Sequence, residues 1–189
     1  MILKPNLHNN LDICENANNF FYSNDTLKFS NITNQEITNI SLTEIEFNEC
    51  LLDNITFLNC NLEQAYFMNC IIKNCDLSNI NFRKSSFKKV HFINCRLTGT
   101  NFENSFFNNV IFENCNLKSS IFDNSTFDNI EFNENNLNES SLLSIKLKNT
   151  LFNVCNLTLC NFSNTKLNKI DLSNCIIDGI TVYPNDLKG

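Results

Sequence analysis

Residues 75–97 read CDLSN INFRK SSFKK VHFIN CRL, and a large apolar residue returns at every fifth position of this segment. The same register extends from Leu27 to Val182, where all 32 such positions hold Leu, Ile, Phe or Val without an insertion or deletion. Because only 42% of the chain is hydrophobic, chance does not produce this run. A period of five is neither helical nor that of a simple strand, so it indicates a repeat architecture.

A second position of each unit, two residues before the large one, holds a small or medium side chain; the clear exceptions are Gln35 and Asn135. Residues two apart on a strand face the same side, so both positions point inward and the residue between them points outward. The other two residues of each unit must turn the chain through a corner. With only 3 Gly and 2 Pro, we expect Asn at many corners, because Asn tolerates turn conformations.

This pattern resembles the A(D/N)Lxx signature of the pentapeptide-repeat family over residues 27–182. The units that match it closely are Cys60-Asn61-Leu62, Cys75-Asp76-Leu77, Cys115-Asn116-Leu117 and Cys155-Asn156-Leu157. The resemblance implies an all-β fold, a right-handed quadrilateral β-helix with four units per coil. The array would then form about eight coils and a rod about 38 Å long, at the usual spacing between strands.

The predicted core consists of like residues stacked at intervals of 20. Its columns contain Leu97 and Leu117; Phe67, Phe87, Phe107 and Phe127; and Cys75, Cys95, Cys115, Cys155 and Cys175. We interpret these thiols as small buried hydrophobic groups. Metal ligands need convergent geometry with room for an ion, and a cytosolic setting disfavours disulfides. No metal or cofactor is expected.

The chain is expected to have three segments: an irregular or partly helical N-terminal cap at 1–26, the β-helix at 27–182 and a short C-terminal tail at 183–189. The ends of a solenoid need covering, because the last coil presents bare core and unpaired strand edges. Phe20, Phe21 and Tyr22 are expected to cover the first coil. The short tail suggests either a homodimer through the C-terminal end or a natural chain that is longer.

Several function classes are disfavoured by the sequence. His8 and His91 are the only histidines, and no Ser-His-Asp set, Gly-rich phosphate loop or HExxH helix appears, so we expect no enzyme. His91 and Asn109 occupy outward positions and are expected in solvent. A net charge of −6 argues against direct nucleic-acid binding. No apolar run is long enough for a membrane span and no signal peptide is visible, so a cytosolic location is expected.

Two surface features are candidate partner-binding sites. Charge is banded: residues 36–63 and 103–139 each sum to −6, and residues 73–96 sum to +5. The acidic candidates are Glu63, Glu103, Glu113, Asp123, Asp128 and Glu131. The second feature is an apolar stripe at outward positions, composed of Leu51, Tyr66, Ile71, Phe106, Ile111 and Leu151. Solubilising charge and the strand preference of branched residues are the alternative explanations.

The resemblance also implies a function. Pentapeptide-repeat proteins of the Qnr and MfpA types bind type II topoisomerases as rods that resemble duplex DNA. The first hypothesis is therefore a DNA-mimicking binder of DNA gyrase or topoisomerase IV that gives quinolone protection or toxin immunity. The second hypothesis is a protein-interaction scaffold that binds an unrelated partner through the apolar stripe.

Overall fold

The computed structural model describes residues 2–21 and 26–187, which form a parallel β-helix. A short helix, α1 (Ala17–Phe21), precedes the coils, and a 3₁₀ helix (Pro184–Asp186) follows them. The strands are β1 (Asp12–Ile13), β2 (Thr26–Lys28), β3 (Ser30–Thr38), β4 (Glu46–Asn48), β5 (Leu51–Leu58), β6 (Tyr66–Lys73), β7 (Ser86–Ile93), β8 (Phe106–Glu113), β9 (Thr126–Asn133) and β10 (Lys146–Asn153).

The coils stack in parallel with partners 20 residues apart, as between Phe87 and Phe107. Each strand from β6 to β10 covers two sides of its coil. Single bridges hold the other two sides, for example Asp76 to Arg96 and Asn81 to Asn101. The predicted quadrilateral β-helix is therefore confirmed, with about seven coils instead of eight.

The corners explain why so few glycines suffice. Every fifth residue from Phe29 to Asn164 has a positive φ, and 15 of these 28 residues are Asn. Asn enters the left-handed region more readily than other residues with a side chain. Many of these amides also bond along the stack, such as Asn114 Nδ2 to Asn94 Oδ1 at 2.9 Å. The expectation that Asn makes the corners is confirmed.

The rod is filled by stacked side chains. Phe67, Phe87 and Phe107 lie ring on ring, with centroids 5.1 and 4.9 Å apart. Two further columns run through Phe82, Phe102 and Phe122, and through Phe92, Phe112, Phe132 and Phe152. Such a core is stabilised by burial of apolar area together with ring contacts.

All ten cysteines are free thiols. Cys75, Cys95, Cys115 and Cys155 are buried, whereas Cys175 in the last coil is partly exposed. Burial raises the pKa of Cys155 to about 11, so its reactive thiolate is scarce at neutral pH. The Cys115 Sγ also accepts the backbone N–H of Cys95 at 3.4 Å. Other thiols of the column donate, as Cys155 Sγ does to the Phe132 carbonyl at 3.4 Å. These buried thiols therefore fill space and form hydrogen bonds with the backbone.

The two polar exceptions in the inward register both have hydrogen-bond partners. Gln35 Oε1 accepts the Ala17 N–H at 2.8 Å, and Gln35 Nε2 donates to the Cys14 carbonyl at 2.6 Å. This side chain thus fixes the start of α1 against the first coil, where Phe21 is buried. Asn135 Nδ2 donates to the Phe112 carbonyl at 2.8 Å, and its Oδ1 accepts the Cys115 N–H at 2.8 Å. Tyr22 lies outside the described residues.

On two of its four sides, the C-terminal coil is not hydrogen-bonded through its backbone to the preceding coil within residues 26–187. In the described part of the chain, no backbone hydrogen bond joins β10 to residues 166–173. The other two sides stay paired, through Ile176 N to Cys155 O and Thr181 N to Cys160 O. Asp186 closes this end by accepting the N–H groups of Asn164 and Tyr183. The outer edge of β10 is therefore left without a strand partner.

Candidate protein-binding surfaces

The clefts of the rod lie between side chains of neighbouring coils. One, of about 390 Å³, is bordered by Glu46, Tyr66, Met68, Ser86 and Lys88. Among the described residues, no cluster of three or more His, Cys, Asp or Glu side chains could hold a metal ion. No helix in residues 2–21 and 26–187 is long and apolar enough to cross a membrane.

Three of the acidic candidates form ion pairs with bases of an adjacent coil. Glu63 Oε1 lies 3.0 Å from Lys84 Nζ, and Glu103 Oε2 lies 3.1 Å from Arg83 Nε. Asp128 is paired in the same way with Lys148 at 3.2 Å. Because the rod stacks one charge band on the next, acidic and basic bands partly neutralise each other. The negative surface is therefore interrupted where these bands meet.

The other three acidic candidates accept hydrogen bonds from near neighbours. Asp123 Oδ1 accepts from the Ser141 hydroxyl at 2.5 Å and the Leu143 N–H at 3.2 Å. Glu131 Oε1 accepts from Asn133 Nδ2 at 2.9 Å. Glu113 Oε2 lies 2.9 Å from His91 Nε2. Glu63, Glu103 and Asp123 occupy one outward column, in which Arg83 lies between Glu63 and Glu103. The other three carboxylates lie on other sides of the coil, so the fold does not bring all six together at one site.

The predicted apolar stripe is divided into three parts. Tyr66 and Phe106 are 51% and 43% exposed, on the side formed by the first halves of β6 and β8. Leu151 is 47% exposed on β10. Leu51, Ile71 and Ile111 form the third part; Leu51 and Ile71 are half-buried, and Ile111 is only 4% exposed. The expectation that the whole stripe faces solvent is wrong for Ile111, and Leu51 and Ile71 face solvent only in part.

Residues 2–11, which we call the N-terminal arm, lie along the corner of the rod beside this third part. The Leu3 N–H donates to Asn109 Oδ1 at 3.1 Å, and the His8 ring contacts Phe29 with centroids 5.5 Å apart. The Asp12 N–H then joins the first coil at the Phe29 carbonyl, at 2.7 Å. The arm thus runs along one corner of the rod, beside β8 at one end and β3 at the other.

His91 and Asn109 are also buried at this corner, contrary to the expectation that both face solvent. Burial lowers the pKa of His91, and the Glu113 carboxylate partly opposes this shift. The sequence did not predict the place of this arm because residues 1–26 lack the period of five. The apolar residues Ile2, Leu7 and Leu11, all partly buried, were the available signal.

Comparison with known proteins agrees with this architecture. A family profile described as pentapeptide repeat region matches residues 65–142. A second, described as pentapeptide repeats (8 copies), matches residues 45–83 and 155–179. The two profiles together cover well over half of the chain. No curated protein matches it.

Similar solved structures include a trypsin-treated variant of QnrB1, a plasmid-mediated fluoroquinolone resistance protein, with 20% identity and a TM-score of 0.49. The match covers 82% of this chain and 83% of that one. HetL, which is involved in heterocyst differentiation regulation in the cyanobacterium Nostoc, has 15% identity and a TM-score of 0.35, covering 85% of this chain and 88% of HetL. At these values neither structure bears on function. From the profile matches and the repeat geometry, the chain belongs to the pentapeptide-repeat family, whose repeats build a structural scaffold.

Proposed function

We propose that this chain is a non-catalytic, cytosolic protein-binding rod, and that its partner docks on the aromatic face, which we define as Tyr66, Met68 and Phe106. The observation that carries the proposal is the exposure of these three side chains, at 51%, 37% and 43%. A filled core already takes up most apolar residues of the repeats. Aromatic residues and Met exposed together are characteristic of protein interfaces.

The shape of the aromatic face fits a side chain from a partner. Tyr66 and Phe106 pair with Ser86 on either side in the ladder, so they stand two coils apart, about 10 Å. A cleft beside Tyr66 is bordered by Met68, by the small Ser86 and by Lys88, with Glu46 on the preceding coil. An apolar side chain inserted there would be shielded from water by Tyr66 and Met68. Such aromatic anchors commonly contribute most of the energy of an interface.

Affinity capture with matched variants tests this proposal. Replacing Tyr66 and Phe106 by Ser should reduce capture of the partner at least tenfold, because the anchor side chains are lost. The control is Leu58→Ser, since Leu58 is also 43% exposed but lies on another side of the coil. Capture should survive in the control with an unchanged melting curve. Equal loss in both variants, or loss in neither, would contradict docking on the aromatic face.

The second candidate function is DNA mimicry directed at DNA gyrase or topoisomerase IV, with drug protection or toxin immunity as the outcome. The net charge of −6 on a narrow rod favours it. The ion pairs of Glu63, Glu103 and Asp128 reduce this support.

Gyrase supercoiling, measured with and without ciprofloxacin over a titration of this protein, tests DNA mimicry. If the hypothesis holds, inhibition or drug protection is expected at micromolar protein. Reversal of Glu103, Glu113 and Asp123 to Lys should abolish the effect, and added salt should weaken it, because charge attracts the rod to the enzyme. If the unmodified protein has no effect on supercoiling, DNA mimicry is dismissed. The proposal of docking on the aromatic face does not depend on that result.

A homodimer through the C-terminal end is part of the proposal. Its support is the unpaired edge of β10 together with the exposed Leu151 and Val154, because an open strand edge is a template for pairing. Sedimentation equilibrium should give twice the chain mass, and Leu151→Lys should shift the protein toward the monomer. A monomer mass at high micromolar concentration would dismiss the dimer.

A further inference from the structure

We propose that the N-terminal arm is a displaceable cover over a peptide-binding corner of the rod. When the arm leaves, the corner takes an extended apolar segment of a partner protein that carries one cationic side chain. We define the corner by Asn109, Ile111 and His91, with Ile71 and Leu51 next to them along the stack. It shares no residue with the aromatic face, so the inference does not depend on the proposed function.

Two residues in the same outward column show what the arm covers. Ile111 on β8 and Leu151 on β10 occupy equivalent positions two coils apart, linked through Glu131 in the ladder. Ile111 is 4% exposed, whereas Leu151 is 47% exposed. The arm contacts Asn109, two residues from Ile111, and no described contact extends the arm to β10. We attribute the burial of Ile111 to the arm.

The path of the arm follows one line of corner residues. Its contacts proceed from Asn109 to a cleft with Lys89, Asn69 and Glu49, and end at Phe29. These corners span four coil steps, about 19 Å. The ten residues from Leu3 to Asp12 could reach roughly 30 Å if fully extended. The arm therefore lies along the rod with slack, without being stretched.

Few interactions hold the arm in place. Across residues 2–11, one described hydrogen bond reaches the rod, from the Leu3 N–H to Asn109 Oδ1. The side chains of Leu3, Lys4, Asn6 and His8 are exposed, and residues 2–11 contain no helix or strand. Segments with few buried contacts and an exposed backbone open locally at low free-energy cost. The arm can therefore leave without the coils unfolding.

The arm itself indicates the chemistry of the segment that would replace it. It presents the half-buried Ile2, Pro5 and Leu7 and donates a backbone N–H to Asn109. The charge of Lys4 lies close enough to influence His91. Glu113 and Glu131 act on the same histidine and supply the negative charge that a cation would face. The matching partner segment is extended, apolar and singly cationic.

The experiment adds a labelled synthetic peptide of residues 2–11 to full-length protein and measures fluorescence anisotropy. In the loosened variant, Ile2→Asp with Leu7→Asp, two half-buried arm residues become charged. The matched variant, Leu3→Asp with Asn9→Asp, adds the same two charges at exposed positions of the arm. The peptide should bind the loosened variant at least tenfold more tightly than the matched variant. Adding Ile111→Asp to the loosened variant should abolish that binding.

Hydrogen exchange of the unmodified chain provides an independent measurement should the loosened variant fold poorly. The amides of residues 3–11 should exchange at least a hundredfold faster than those of β8. If the arm amides exchange as slowly as those of β8, the arm is a permanent part of the fold and the proposal is overturned. Equal peptide affinity in the two variants, or equal binding of a scrambled peptide, would also overturn it.

Discussion

Replacing Phe107 by Asp is expected to abolish the cooperative thermal transition of the rod. The Phe107 ring is fully buried, with ring centroids 4.9 Å from Phe87 and 5.1 Å from Phe127. Removing a buried Phe costs about 3–5 kcal/mol, and an unpaired carboxylate at that position adds several kcal/mol more. The total approaches the whole stability of a typical domain, roughly 5–15 kcal/mol. Circular dichroism during heating measures the loss.

The matched control is Phe106→Asp, the same change one residue earlier. Phe106 is 43% exposed, so its carboxylate stays in water and the melting temperature should fall by only a few degrees. The pair therefore tests which residues point inward. Similar melting curves for the two variants would contradict the alternation of inward and outward residues along β8.

Replacing Asn135 by Ala is expected to destabilise the protein by about 3 kcal/mol. The change removes the acceptor of the Cys115 N–H and the donor to the Phe112 carbonyl, both in the core. An unsatisfied buried group costs about 1–3 kcal/mol, and the vacated volume adds to this. Chemical denaturation at constant m-value measures the change.

Asn135→Cys is the control for the hydrogen-bond explanation. Cys occupies the equivalent position in the preceding and following coils, and Cys115 Sγ there accepts the Cys95 N–H. A thiol at position 135 should therefore accept the Cys115 N–H and recover at least about 1 kcal/mol relative to Ala, within the range of a single hydrogen bond. If Cys and Ala destabilise the protein equally, the amide of Asn135 has no such role.

The period of five was enough to predict the architecture, because one register sets both the core and the corners. Phe107 and Cys115 are inward because of their place in the unit, and Asn114 is at a corner for the same reason. The sequence also marked Gln35 and Asn135 as exceptions. Only the structure shows that each of these side chains forms hydrogen bonds with backbone N–H and carbonyl groups.

Features that the five-residue period does not encode could not be predicted from the sequence. Ile111 and His91 are buried beside an arm that has no periodic pattern. The ion pair of Glu63 with Lys84 joins residues 21 apart and depends on which side chains reach across a coil step. Leu167 and Leu172 keep the apolar period, yet the coil that contains them leaves the ladder beside β10. Apolar periodicity indicates which residues point inward, but it does not indicate where hydrogen bonding between the backbones of neighbouring coils ends.

Site-specific photo-cross-linking tests docking on the aromatic face most directly. A photoreactive phenylalanine analogue would replace Tyr66, Phe106 or, as the control, Leu58, each in the full chain inside its host cell. The account predicts one discrete protein adduct of the same mass from positions 66 and 106, and none from position 58. Adducts of equal yield from all three positions, or none from positions 66 and 106, would contradict it.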